Sequence, residues 1–74
     1  MGPAATVDLF NKIVVNTPAD KDQDHIKIVI ENNPQIPDRT AALNDNQTDP
    51  SVALLATAEK LKSAGADFVI VPCN

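Results

Sequence analysis

Two short apolar runs rich in β-branched residues constrain what this chain can fold into. The first, Ile26–Ile30, is β-branched at four of five positions, and the second, Phe68–Val71, is continuously apolar and ends at Pro72. Such runs are typical of strands, and a continuous one indicates burial on both faces, as in a parallel sheet. Because a long helical connection separates them, we expect two parallel strands with a right-handed crossover. The predicted fold class is therefore α/β.

Helical periodicity predicts a first helix over Ala4–Val15. Its apolar positions are Leu9, Phe10, Ile13 and Val14. Pro3 suits the first turn of a helix, and Pro18 disfavours helix in the residue before it, so the pattern is bounded on both sides.

A second helix is predicted to begin at Pro50, with Asp49 as its N-cap and Gly65 just past its end. Its apolar stripe comprises Leu54, Ala58 and Leu61. A short helix capped by Asp38 is also predicted over Arg39–Leu43.

Composition excludes several classes of function. The net charge is −4 and aromatic residues make up 3% of the chain, without Trp or Tyr. This argues against nucleic acid as a partner, because nucleic-acid sites are basic and often stack bases on aromatic rings. No apolar run approaches the roughly 18 residues that a membrane span needs, and the N-terminus lacks the features of a secretory signal. A single cysteine without an export signal predicts a cytoplasmic location.

The chain has few means of stabilising a small fold. With 74 residues, one Cys and one His, it has neither an internal disulfide nor an all-protein structural zinc site. Two parallel strands also leave edges and apolar helix faces uncovered. We therefore expect the chain to form a homo-oligomer or to associate with a missing remainder of the fold.

Cys73 is the first candidate for chemistry. It directly follows the second predicted strand, and open parallel sheets bind ligands past the carboxyl ends of their strands. A site can lower the thiol pKa from about 8.5 and so create a thiolate base or nucleophile. From position alone, a buried and inert cysteine is an equal alternative. Asn74 either offers an amide to a substrate carboxylate or ends a turn.

Arg39 and Gln35 lie in the proline-rich loop that follows the first predicted strand. A guanidinium grips a carboxylate with two parallel hydrogen bonds, which would position an anionic substrate near Cys73. The alternative is a solvated Arg39 or a structural partner of Asp38. His25 would also reach Cys73 in some arrangements, although a surface role is the simpler interpretation.

Several segments together resemble a known family. They are Met1–Thr6 (MGPAAT), Asn32–Thr40 (NNPQIPDRT), Ala64–Asp67 (AGAD) and Val71–Asn74 (VPCN). In this order they resemble the aspartate/glutamate racemase superfamily, and the aspartate racemase (broad-specificity amino-acid racemase) branch is the most similar. The resemblance spans essentially the whole chain, and Asn32–Thr40 is its most specific part.

The resemblance implies racemisation of a small acidic amino acid without pyridoxal phosphate or a metal. One thiolate removes the α-proton and an opposite thiol delivers a proton to the other face. Cys73 matches the first of these cysteines and Arg39 the arginine that binds the substrate carboxylate. Gln35, Asn74 and Met1 match positions that line the same pocket.

The family's second cysteine is absent here, as is the second of its two α/β lobes. We therefore expect residues 1–74 to be a fragment of the N-terminal lobe, with the second lobe absent and no activity alone. Two alternatives stay open. One is a glutamate racemase or a related isomerase or decarboxylase, and the other is a non-catalytic binding module in which Cys73 is merely buried.

Overall fold

The computed structural model describes residues 2–36 and 49–72. These residues form helix α1 (Pro3–Asn16), a short 3₁₀ helix (Asp22–Asp24) and helix α2 (Pro50–Ser63). The short helix predicted over Arg39–Leu43 lies outside the described residues. No helix in the described ranges is long and apolar enough to cross a membrane.

Helix α1 confirms the predicted boundaries to within one residue at each end. Pro3 stands in the first turn, where its missing N–H is not needed by the helix. At the other end the backbone N–H of Thr17 donates to the Val14 carbonyl at 3.3 Å, and the Thr17 hydroxyl donates to the Ile13 carbonyl at 2.5 Å. Pro18 follows this cap, so the helix stops where the sequence predicts.

Helix α2 confirms both predicted caps. The Asp49 carboxylate accepts a hydrogen bond from the Ser51 backbone N–H at 2.9 Å. Past the other end, Gly65 has φ +98°, and its N–H donates to the Lys62 carbonyl at 3.0 Å. Only glycine adopts this φ readily, which explains why a glycine follows the end of α2.

The parallel sheet predicted from Ile26–Ile30 and Phe68–Val71 is not confirmed. Both segments are irregular, the described part of the chain contains no strand, and no backbone hydrogen bond joins the two segments there. The physical reason is that β-branched residues favour a strand only where a neighbouring strand completes its hydrogen bonds. Without that neighbour Ile26 is 60% exposed and Phe68 is 82% exposed.

The two apolar segments nevertheless meet the two helices. Together they line a cavity of about 100 Å³. Its apolar lining includes Leu9 and Ile13 of α1, Leu61 of α2, Ile28 and Ile30 of the first segment, and Ile70 of the second. This is the core of the described structure, but it is thin. Among residues 2–36 and 49–72, Ile36 is the one apolar residue that is buried, at 7% exposure, and it lies outside this cavity.

The chain exposes more surface than a compact protein of its mass. Its accessible surface is 6064 Å², whereas a compact monomer of this mass exposes about 4,400 Å². Its radius of gyration is 14.7 Å, against about 11 Å for a compact domain of this length. Several large apolar side chains in the described residues are exposed, among them Val7, Val52, Leu55 and Phe68.

Acid is expected to weaken the start of α2. Hydrogen bonds from the backbone N–H and then the side chain of Ser51 lower the pKa of Asp49 from its usual value of 3.8. A carboxyl whose pKa is depressed on folding stabilises the folded state above its unfolded pKa, and this contribution is lost as the pH falls through the folded pKa. The Ser51 amide resonance, followed by NMR from pH 6 to pH 2, should therefore move with the Asp49 titration.

Asp49→Ser is the matched control, because serine caps a helix without titrating in this range. It should keep α2 formed at pH 6 and remove the acid-dependent shift at Ser51. An unchanged titration in this variant would assign the shift to another group.

Gly65→Ala should destabilise the end of α2. Nothing lies within 4 Å of the position that a new Cβ would occupy, so the cost arises in the backbone at φ +98°. We expect a loss of about 1 kcal/mol, measured by thermal unfolding in far-UV circular dichroism. Gly65→Asn should lose less, because Asn tolerates positive φ better than Ala.

Candidate functional site

Four separate stretches of the chain, one of them α2, meet around a small cavity of about 70 Å³. Thr6 comes from α1, Asn33 and Ile36 come from the loop after the first apolar segment, and Val71 and Pro72 come from the second segment. These three stretches each lie close in sequence to a residue predicted for the site, which makes the small cavity the candidate site.

Of the predicted site residues, Gln35 is described and Met1, Arg39, Cys73 and Asn74 lie outside the described residues. Gln35 is exposed and sits in a turn.

The turn is held by Asn33. The Asn33 side-chain oxygen accepts a hydrogen bond from the Gln35 backbone N–H at 2.9 Å, and the Asn33 carbonyl accepts one from the Ile36 N–H at 3.5 Å. An asparagine that bonds the backbone two residues on is a standard way to close a turn before a proline-rich segment. Ile36 follows this turn and is buried.

A side-chain hydrogen bond ties α1 to the same loop. The Thr6 hydroxyl donates to the Asn32 side-chain oxygen at 2.5 Å, across 26 residues of sequence, in a partly buried setting. Sequence reasoning missed this role for both residues. The signal in the sequence was the pair of side-chain amides at Asn32 and Asn33 directly after an apolar run. Polar groups that become buried at such a place need hydrogen-bond partners.

Helix α2 forms the opposite wall of the cavity. Its predicted apolar stripe, Leu54, Ala58 and Leu61, lines that wall. Thr57 lies among them, and its hydroxyl donates to the Ala53 carbonyl at 2.9 Å, which satisfies it within the helix. Glu31 and Lys60 approach to 3.7 Å with side chains 36% and 70% exposed, so this ion pair contributes little stability.

His25 is not brought to this cavity. It is exposed and lines a different cavity of about 190 Å³, together with Phe10, Val14 and Thr17 of α1 and its C-cap. Cys73 lies outside the described residues, so the pairing of His25 with Cys73 stays a prediction. The described part of the chain also contains no group of three His, Cys, Asp or Glu side chains placed to hold a metal ion.

Comparison with known families agrees with the segments described above. The family of Asp/Glu/hydantoin racemases matches the chain over residues 1–74. The chain therefore belongs to the Asp/Glu/hydantoin racemase family, which confirms the superfamily resemblance seen in the sequence. Membership supports an enzyme of the racemase type and a small amino-acid substrate.

Thr6→Val should release the loop from α1. Valine has the shape of threonine without the hydroxyl, so Asn32 would lose its partner while the packing stays similar. We expect shifts in the amide resonances of residues 32–36 and a loss of about 1 kcal/mol of stability. The measurements are ¹H–¹⁵N NMR spectra and urea unfolding.

Thr57→Val is the matched control, because the Thr57 hydroxyl bonds only the carbonyl four residues earlier in its own helix. It should leave residues 32–36 unchanged. If both variants shift the loop equally, the Thr6–Asn32 bond does not hold it.

Proposed function

We propose that this chain forms one wall of the active site of an amino-acid racemase, with aspartate as the preferred substrate. In this proposal Cys73 is the base or acid on one face of the α-carbon, and Arg39 binds a substrate carboxylate. Gln35, Asn74 and Met1 line the pocket. The reaction uses no pyridoxal phosphate and no metal, because thiol groups carry the proton transfers.

The observation that carries the proposal is the convergence around the small cavity. Thr6 lies in the helix that follows Met1, Ile36 lies three residues before Arg39, and Pro72 directly precedes Cys73. Stretches distant in sequence thus approach one another at the ends nearest to the proposed site residues. Family membership over the full 74 residues supports the same reading independently.

The chemistry explains why these residue types belong together. A thiol with its ordinary pKa of about 8.5 is only a few per cent thiolate at neutral pH. A guanidinium or backbone N–H groups near the sulfur would lower that pKa and raise the thiolate fraction. A carboxylate held by Arg39 would fix the α-carbon relative to the sulfur, and such positioning is itself a large part of catalysis.

Racemisation also needs a proton donor on the opposite face of the α-carbon. The sequence contains one cysteine, and one thiol cannot serve both faces. We therefore propose that the 74 residues do not racemise amino acids alone and that a second α/β lobe supplies the other thiol. In that setting the apolar segments at 26–30 and 68–71 would become strands of a parallel sheet in the first lobe. The proposed location is the cytoplasm.

The family covers aspartate, glutamate and hydantoin racemases. A glutamate racemase, or an isomerase or decarboxylase with the same cysteine chemistry, is the sister alternative. A non-catalytic binding module, with an inert Cys73, is the alternative from another class.

Thiol alkylation separates the catalytic readings from the binding module. If Cys73 is activated, iodoacetamide should modify it well below pH 8.5, and aspartate should protect it. Arg39→Gln should abolish the protection by aspartate, whereas Lys62→Gln, which removes an equal charge from the end of α2, should not. An unreactive thiol at pH 7 would favour the binding module.

Proton exchange tests the two-base requirement. In deuterium oxide the purified 74-residue chain should not interconvert L- and D-aspartate, because the second thiol is missing. Chiral chromatography and NMR of the α-position give the readout, with Cys73→Ala as the blank. Sustained racemisation that disappears in Cys73→Ala would disprove the requirement for a second lobe.

A further inference from the structure

One hydrogen bond joins two of the stretches that line the small cavity. The Thr6 hydroxyl of α1 donates to the Asn32 side-chain oxygen at 2.5 Å, and both residues line the cavity. Among residues 2–36 and 49–72, it is the one side-chain hydrogen bond that joins residues more than four positions apart. This bond, here called the α1–loop bond, links α1 to the loop that follows the first apolar segment.

Apolar packing alone does not fix how α1 faces this loop. Leu9 and Ile13 of α1 line the core cavity together with the apolar segments, and the described residues contain no strand pairing that would hold those segments in register. Hydrophobic contact is non-directional, so it tolerates small rotations and shifts of a helix. A hydrogen bond requires a short distance and a favourable angle. The α1–loop bond therefore sets the orientation of α1 relative to the loop.

The first residues of the loop carry this orientation on to Gln35. The Asn33 side-chain oxygen accepts a hydrogen bond from the Gln35 backbone N–H at 2.9 Å. Pro34 lies between them, and a proline ring restricts φ to about −65°. Gln35 itself is exposed, so the contacts of its neighbours, rather than its own burial, decide where it lies.

The position of Gln35 affects the affinity for a substrate that Gln35 helps to bind. A protein binds its ligand only in the fraction of molecules that have the binding geometry, and the apparent dissociation constant rises in inverse proportion to that fraction. A bond that holds the Asn33 turn in one orientation increases this fraction. It therefore strengthens substrate binding without contacting the substrate.

We propose that Thr6 and Asn32 are positioning residues for substrate binding. Their hydrogen bond holds the Asn33 turn, and with it Gln35, in the orientation that receives the substrate, and neither side chain binds the substrate itself. This inference rests on the proposed racemase function, because it takes aspartate as the substrate and Gln35 as a residue of the pocket.

A double-mutant cycle tests the proposal, with the protection of Cys73 by aspartate as its readout. The measured quantity is the L-aspartate concentration that halves the rate at which iodoacetamide alkylates Cys73 in the purified chain. Thr6→Val and Asn32→Leu each remove one partner of the α1–loop bond, so each should raise this concentration about fivefold. The double variant should raise it by about the same factor as either single variant, because all three lack the same bond.

Two control variants separate positioning from general destabilisation. Thr6→Ser keeps the hydroxyl donor. Ile13→Val removes one methylene group from the core, which lowers stability to a similar extent as the loss of a hydrogen bond. Both should leave the half-protecting concentration within about twofold of the wild-type value, since neither removes the α1–loop bond.

The possible results distinguish this inference from the proposed function. If aspartate protects the wild-type chain and Thr6→Val equally well, the positioning role is overturned and the proposed function stands. Losses that add in the double variant, or a loss in Thr6→Ser or Ile13→Val equal to that in Thr6→Val, would also overturn it. A wild-type chain that aspartate does not protect would overturn the proposed function and this inference with it. Because Asn32→Leu breaks the same bond from the loop, the test does not depend on how well Thr6→Val folds.

Discussion

The packing of Leu9, Ile13 and Leu61 against the segments at 26–30 and 68–71 is the contact on which the rest of the structure depends. It holds two independently capped helices at one place and brings both apolar segments beneath them. The small cavity beside Pro72 is lined by the same α2 and second segment, together with the loop that begins at residue 31. The Thr6–Asn32 hydrogen bond then attaches α1 to that loop.

The packing and the proposed chemistry have a requirement in common. The described structure buries little apolar surface and leaves the predicted strands without paired neighbours. The proposed reaction needs a second acid–base group that the single cysteine does not provide. Both needs would be met by additional protein surface.

Local signals predicted the helices well because each boundary depends on a few neighbouring residues. Asp49 and Pro50 start α2, Gly65 ends it, and Thr17 with Pro18 ends α1. The strands predicted at 26–30 and 68–71 are not confirmed, because strands do not form from local signals alone. A strand depends on a partner distant in sequence, and β-branched composition does not supply that partner.

The sequence by itself determined the helix positions, the family and the residue types proposed for catalysis, because caps, periodicity and motifs are local and do not require a fold to be recognised. Only the tertiary structure decided that Thr6, Asn33, Ile36 and Pro72 approach one cavity and that His25 lies at a different one. These outcomes depend on contacts between residues far apart in the chain, and hydrophobic burial drives such contacts without specifying them in any single segment.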